Sequence, residues 1–226
     1  MNKDIQEKES QLMKSRSGRA CIREGYQMFT SHFRRIFKIT WPVALFFAVI
    51  SATAASLPVL VSPALLWPAF GIEAVAVILL LVIAYRRLVK KQFFEQLSKT
   101  VSKRRGVWLH YLGIELLVWT FCLLVILSLS IVTTLPMLIV MAANWINQAG
   151  TLSGDPNGMP AYMTWLTVIV FLIAGFIQAY VWLTLLAPLY LMRGSIAQKE
   201  KEREEFKKKA KEINNQKYEQ NLIYRP

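Results

Sequence analysis

The fold is decided by residues 39–85, ITWPVALFFAVISATAASLPVLVSPALLWPAFGIEAVAVILLLVIAY, which contain a single ionised side chain, Glu73. A second apolar block, residues 106–192, contains only Glu115 and Asp155. A soluble fold cannot bury apolar runs of this length, because each of its surface helices needs a polar face. The blocks therefore predict an all-α polytopic membrane protein. They exclude an ordinary cytosolic enzyme, a disordered protein and a secreted disulfide scaffold.

Four transmembrane helices fit the two blocks, since about 20 mostly apolar residues cross a hydrocarbon core of about 30 Å. Pro58, Pro63 and Pro68 divide the first block into a hairpin. The sequence DPNG at residues 155–158 is a turn signal that divides the second. We predict spans near residues 38–58, 65–86, 114–140 and 161–191, within a transmembrane domain of residues 38–192.

The Lys and Arg residues set the orientation. Of the 27 in the chain, nine lie before residue 39, eight at 86–105 and ten from Arg193 onward, which leaves none for the other two loops. This bias predicts that both termini and the central connector are cytoplasmic. Nucleic-acid binding is the alternative explanation of the net charge of +13. We expect no nucleic acid as a partner, because the basic residues flank the spans.

Amphipathic segments precede two of the spans. Within a cytoplasmic N-terminal segment of residues 1–37, residues 21–37 repeat apolar side chains at helical spacing among basic ones. We predict an interfacial helix there, feeding span one, and a shorter one around residues 93–101. The anionic inner leaflet is the expected partner of the flanking cations. These candidate lipid contacts are Arg34, Arg35, Lys38, Arg86, Arg87, Lys90, Lys91, Arg104 and Arg105.

A 78-residue offset aligns residues 32–67 with residues 110–145, with nine identities in 36 positions. Paired His, Trp and Pro residues, such as Pro58 with Pro136, are harder to obtain from shared apolar composition than paired Leu. We interpret the match as a duplication, so that the four spans form two parallel-repeat hairpins. The pseudo-symmetry axis would then run along the membrane normal.

Glu73 and Gln178 are the candidate intramembrane polar residues. An acid inside a span is a functional candidate by default. The alternative is a carboxyl that is buried at a helix interface or drawn to the outer headgroups. No Lys or Arg is available at its depth, so we expect a neutral Glu73 that serves packing rather than conduction. Small residues at four-residue spacing, Ala48 with Ala52 and Gly175 with Ala179, predict tight helix contacts.

The sequence from residue 193 to 226 forms a basic, mixed-charge tail with helical composition. Pairs such as Glu204 with Lys208 favour a helix, and Phe206 and Ile213 form a thin apolar stripe. We predict a cytoplasmic, solvated helix; a docking strip for a cytoplasmic partner is the alternative.

No arrangement of residues indicates chemistry. No nucleophile, metal-ligand or nucleotide-binding motif occurs, so we predict no catalytic residues, no metal, no cofactor and no enzyme activity. Cys21 lies in a basic segment and Cys122 in an apolar run, which predicts free thiols in different environments.

The segment REGYQMFTSHFRRIFKITWPVAL at residues 23–45, a basic amphipathic helix running directly into a span, resembles bacterial inner-membrane proteins related to the membrane domain of glycerophosphodiester phosphodiesterases and the YciC-type proteins. The resemblance implies a bacterial inner-membrane location and no catalysis in the membrane part.

Two functional hypotheses follow. The first is a non-enzymatic scaffold or accessory subunit of a membrane protein complex, which binds another membrane protein. The second is a small transporter or lipid-handling protein with a cavity between the two repeats. The spans offer mainly hydroxyls besides Glu73 and Gln178, which is sparse for a solute path and favours the first.

Overall fold

The computed structural model describes residues 15–91, 93–94, 105–154 and 160–223, and of residues 105–110, 161 and 214–223 it describes only the backbone. These parts contain α-helices and no strand. Pro63–Leu65 forms a single 3₁₀ turn. The helices are α1 (Gly18–Ser31), α2 (Phe33–Leu60), α3 (Leu66–Lys90), α4 (Arg105–Leu152), α5 (Ala161–Leu183) and α6 (Leu186–Ile223).

Four helical stretches are long and apolar enough to cross a membrane: Phe33–Leu60, Pro63–Lys90, Tyr111–Leu152 and Tyr162–Ile213. They correspond to α2, to α3 with its preceding turn, to α4, and to α5 continued by α6. The prediction of an all-α chain with four such helices is therefore confirmed for the described residues. These four stretches indicate a membrane protein.

The outer turn between the first two spans lies where the prolines predicted it. α2 ends two residues after Pro58, and the Ser62 hydroxyl accepts a hydrogen bond from the N–H of Ala64 at the start of the 3₁₀ turn. Since proline cannot donate a backbone hydrogen bond, it is favoured in the first turn of a helix and not in its interior. Pro63 therefore ends one apolar run and opens the next.

α4 is longer than the predicted span three. The span is predicted to end near residue 140, and the helix continues to Leu152. Ala142, Ala143 and Ala149 favour helix in this stretch, and the amide nitrogens of Asn144 and Gln148 donate hydrogen bonds to other helices. The helix stops just before Gly154, whose φ of 87° suits glycine. The predicted DPNG turn lies outside the described residues.

The predicted span four, residues 161–191, is divided between two helices. A turn at Thr184 and Leu185 separates α5 from α6. Pro188 accounts for the break, because it has no N–H to donate to the Thr184 carbonyl and lies in the first turn of the new helix, where this donor is not needed. α6 then runs without interruption into the charged tail, which is helical to Ile223.

The bundle is built around α2 and α5. α2 packs against α3 and α5, and α5 also packs against α4. Half of the most apolar stretch of α2 is buried in the bundle, whereas only 6% of that of α4 is buried. α4 is therefore the peripheral spanning helix, and its apolar side chains face outward.

The first helix packs against protein along its length. A break at His32 divides the predicted helix of residues 21–37 between α1 and α2. α1 buries Cys21, Ile22, Gly25 and Phe29, and it contacts α6 and α4. Its apolar face is thus occupied by other helices. That it also lies in the lipid interface stays a prediction, as does the helix around residues 93–101, most of which lies outside the described residues.

Both cysteines are free thiols, as predicted, but the expectation of different environments was wrong. Cys21 on α1 and Cys122 on α4 are both fully buried and belong to one apolar cluster. The polar sequence around Cys21 concealed this, because only one face of α1 packs inward.

The internal duplication also stays a prediction. It requires α2 and α4 to run in the same direction, and both run antiparallel to α5. On α2, Phe37 contacts Tyr180 and Ser51 lies beside Gly175. On α4, Thr133 contacts Gln178 and Asn144 contacts Thr167.

Candidate functional site

Glu73 forms a contact between the helices of the first hairpin. The Ser51 Oγ on α2 donates a hydrogen bond of 3.0 Å to Glu73 Oε1 on α3. Ser51 is buried and Glu73 is half-buried. Among the described residues, Glu73 forms no ion pair with a basic side chain. The carboxyl is therefore held by a hydroxyl on the neighbouring span.

Small residues bring a third helix to the same place. A Cβ on Gly175 of α5 would lie 3.3 Å from the backbone of Ala48 and 3.4 Å from the Ser51 Cβ. The backbones of α2 and α5 are therefore in close contact beside the Ser51–Glu73 hydrogen bond. Ala52 and Ala179 are buried as well, so the small residues identified in the sequence lie at helix interfaces.

Gln178 lies almost one turn beyond Gly175 on α5, and it contacts α4, the other helix of the second hairpin. Its Oε1 accepts a hydrogen bond of 2.7 Å from Thr133 Oγ1 on α4. Its Nε2 donates to the Ser130 Oγ on the same helix. Both atoms of the amide are thus satisfied by α4.

The two intramembrane candidates do not form a common site. Glu73 bonds to α2, whereas Gln178 bonds from α5 to α4. Each side chain connects its own pair of helices. Hydrogen bonds between spanning helices contribute about 0.6 kcal/mol on average, so this arrangement favours packing over the binding of a shared ligand.

Two further polar contacts were missed by the sequence analysis. The Asn144 Nδ2 donates 2.8 Å to Thr167 Oγ1, and the Gln148 Nε2 donates 2.7 Å to the backbone carbonyl of Val59. Asn144 is fully buried, and its Oδ1 has no hydrogen-bond partner among the described residues. Both residues lie beyond the predicted end of span three near residue 140, and their spacing of four residues on a continued helix was the available signal.

The basic residues gather at one end of the first hairpin. Because α2 and α3 are antiparallel, Ile36 near the start of α2 and Leu88 near the end of α3 are buried in one cluster. Arg35 also places its guanidinium 5.7 Å from the centre of the Phe93 ring. Seven of the predicted lipid contacts are exposed here: Arg34, Arg35, Lys38, Arg86, Arg87, Lys90 and Lys91. Arg104 lies outside the described residues, and the side chain of Arg105 is not described.

Polar contacts fix the start of α1 to α6. The Arg16 N–H donates a hydrogen bond of 2.8 Å to Ser195 Oγ, which donates 3.0 Å to the Arg16 carbonyl. The Arg16 guanidinium forms a 2.7 Å ion pair with Glu24. Burial raises the pKa of the nearby Cys21 thiol, so the thiol stays protonated and weakly nucleophilic.

The geometry defines an all-helical protein with four helices suited to cross a membrane, held together by hydrogen bonds and small residues between them. In the described part of the chain, no group of three His, Cys, Asp or Glu side chains could hold a metal ion. No protein-family model, curated protein or solved structure shows significant similarity to the chain. The resemblance to inner-membrane proteins drawn from residues 23–45 therefore stays a prediction.

Proposed function

We propose that the chain is a non-enzymatic integral membrane protein that acts as a scaffold or accessory subunit of a membrane protein complex. The observation that carries this proposal is that Glu73 and Gln178 each hold a different pair of helices together. Both side chains are engaged in hydrogen bonds between helices, on different helix pairs. A solute path would instead need polar groups that converge on a shared cavity.

α4 supplies the surface for a membrane partner. Its apolar side chains are exposed along most of its length, with Leu124 at 58% and Ile131 at 64% exposure. In a membrane such a face meets either lipid or the helix of another protein. α4 contacts the bundle through α5, α1, α6 and α2. Leu124 and Ile131 lie on the face opposite the buried Cys122 and Ile126, so this face is free to bind a second helix.

α6 supplies a surface for a cytoplasmic partner. Its charged part continues from the bundle as a helix with Phe206 and Ile213 exposed at 75% and 65%. Exposed large apolar residues on an otherwise charged helix are typical of a docking strip. The tail would thus connect the membrane partner to a protein in the cytoplasm.

The proposed setting is the inner membrane of a bacterium, with both termini cytoplasmic. The complete segregation of Lys and Arg supports this orientation, and the resemblance of residues 23–45 supports the location. In this orientation the exposed cations at the ends of α2 and α3 face the anionic headgroups of the inner leaflet.

Site-specific photo-crosslinking tests the scaffold. A photoreactive amino acid is placed at Leu124 or Ile131 on α4, and at the exposed Leu79 on α3 as a matched control. In native membranes we expect a discrete protein adduct from α4, and mainly lipid adducts from α3. Equal lipid labelling at all three positions would contradict the proposal.

The alternative function is a small transporter or lipid-handling protein with a cavity between the two hairpins. Glu73 is the residue that distinguishes it, since an intramembrane acid that exchanges a proton or binds a cation cannot be replaced by an amide. Loss of activity in a well-folded Glu73→Gln variant would favour this alternative.

A further inference from the structure

An apolar groove of about 550 Å³ opens between α1, α4 and α5. Side chains from all three helices and from the first turn of α2 line it. They include Tyr26, Phe29, Phe33, Leu129, Ile177 and Tyr180. The hydroxyls of Tyr26 and Tyr180 are buried and make no well-formed hydrogen bond within the described residues.

The groove has an inner end and a charged end. Leu129 and Ile177 lie next to the Ser130–Gln178 contact, inside the spanning helices. In the other direction, α1 follows α6 towards the tail, where Arg16 bonds to Ser195. The groove therefore runs from the hydrocarbon region towards the side of the membrane that carries the charged tail. Inside a span, an open apolar groove is in contact with lipid chains rather than with water.

Two cations continue the groove at its charged end. At 100° per residue, Arg19, Arg23, Tyr26 and Thr30 fall within an arc of about 60° on α1. Both arginines are exposed, at about 5 and 10 Å along the helix from Tyr26 at 1.5 Å per residue. Glu24, the acidic residue of α1, lies on the other side of the helix and is paired with Arg16. An apolar groove that ends beside two exposed cations matches an acyl chain attached to a phosphate.

We propose that this groove binds one acyl chain of an anionic phospholipid, whose phosphate contacts Arg19 and Arg23. The lipid belongs to the leaflet on the side of the tail, which is the inner leaflet in the orientation proposed above. It fills the space beside α1 and thereby fixes α1 against α4 and α5. The site is separate from the basic residues at the end of α3.

Photo-crosslinking with a lipid probe tests where the chain lies. The full-length protein in mild detergent receives phosphatidylglycerol that carries a photoactivatable group on its acyl chain, and adducts are mapped by mass spectrometry. We expect the adducts to concentrate on residues 26–33, 125–129 and 177–184. Ile177→Trp should fill the groove and lower the yield at least about fivefold, the equivalent of about 1 kcal/mol. Ile78→Trp, at an exposed position on α3, should leave it unchanged.

The headgroup contact is tested with paired charge variants. Competition with unlabelled phosphatidylglycerol should become about 30-fold weaker in the R19Q/R23Q variant, since each Arg near an anionic lipid contributes about fivefold. Competition by phosphatidylcholine should not change. The R86Q/R87Q variant removes the same charge from the basic patch at the end of α3, where both arginines are exposed, and should behave like the wild type. A melting curve confirms that each variant is folded.

Two results would overturn the proposal. Adducts spread evenly over the exposed side chains of α3 and α4 would mean that lipid contacts the whole surface without a site. Equal weakening in both arginine variants would mean that only the general charge of the protein attracts the lipid. Neither result bears on the scaffold, because Leu124 and Ile131 lie on the opposite face of α4 from the groove residue Leu129.

Discussion

Gly25 on α1 lies directly against Pro188 on α6: a Cβ at residue 25 would come within 2.6 Å of the Pro188 Cα and N. Real Cβ atoms do not approach backbone so closely, and here the neighbour is a rigid proline rather than the end of a flexible side chain. Pro188 is the residue at which the last span is broken, and α1 can pack against it only because residue 25 is a glycine. It therefore fixes the position of α1 in the bundle.

This contact predicts a specific destabilisation. Gly25→Ala must push α1 away from α6, and overpacking of this kind costs about 1–3 kcal/mol. We expect a lower melting temperature in detergent and exposure of Cys21, which is fully buried beneath the same face. Gly113→Ala is the matched control, because a Cβ there meets nothing within 4 Å. If both variants melt like the wild type, α1 is not held by this contact.

How far the sequence predicts this structure depends on the kind of signal. Charge and hydropathy predicted the spans, because a helix in hydrocarbon excludes charged side chains along its whole length of about 20 residues. Charge and hydropathy did not predict the burial of α1. Its inward face includes Cys21 and Gly25, which allow close packing because they are small. The apolar periodicity that includes Tyr26 and Phe33 predicted contact with lipid instead of contact with other helices.

Two helices end at residues other than the predicted span ends, and both differences have local causes. A hydropathy profile does not detect the break at Pro188, because the residues around it are apolar and proline changes hydrogen bonding rather than polarity. α4 continues past the predicted end of span three, near residue 140, through the polar residues Asn144 and Gln148. Their amides are paired with Thr167 and Val59 on other helices, and a tertiary contact of this kind is not visible in one sequence.

The Ser51–Glu73 hydrogen bond predicts how variants of the acid behave. Glu73→Gln keeps an oxygen that can accept from Ser51, so we expect its melting temperature to stay close to that of the wild type. Ser51→Ala removes the donor and should cost about 0.6 kcal/mol, and at most about 1.7 kcal/mol. Glu73→Lys places a charge beside α2 and should impair assembly, measured by the yield of monodisperse protein. A Gln variant as damaging as the Lys variant would show that the acid itself is required.

Thiol labelling tests the orientation. Cys21 and Cys122 are buried, and burial raises the pKa of the Cys21 thiol, so both should react slowly at pH 7 in the folded protein. Ser153→Cys and Glu205→Cys each add an exposed thiol at opposite ends of the bundle. In intact cells an impermeant maleimide should label residue 153 and not residue 205, and lysis should make both reactive. Labelling of residue 205 in intact cells would place the tail outside.

The contact between Gln178 and Thr133 should be measurable as a coupling between α5 and α4. Gln178→Leu leaves the hydroxyls of Ser130 and Thr133 without their partner on α5. The Thr133 hydroxyl keeps its 3.1 Å hydrogen bond to the Ser130 backbone carbonyl within α4. Because only 6% of the most apolar stretch of α4 is buried in the bundle, we expect the loss to separate α4 from α5 more readily than it unfolds α2 and α3.

A double-mutant cycle with Thr133→Val, followed by thermal melting in detergent, should give a coupling of about 0.6–1.7 kcal/mol. Thr134→Val is the control, since its hydroxyl bonds only within α4, and it should show no coupling to residue 178. Equal coupling for Thr133 and Thr134 would mean that Gln178 acts through the shape of the helix interface and not through its hydrogen bonds.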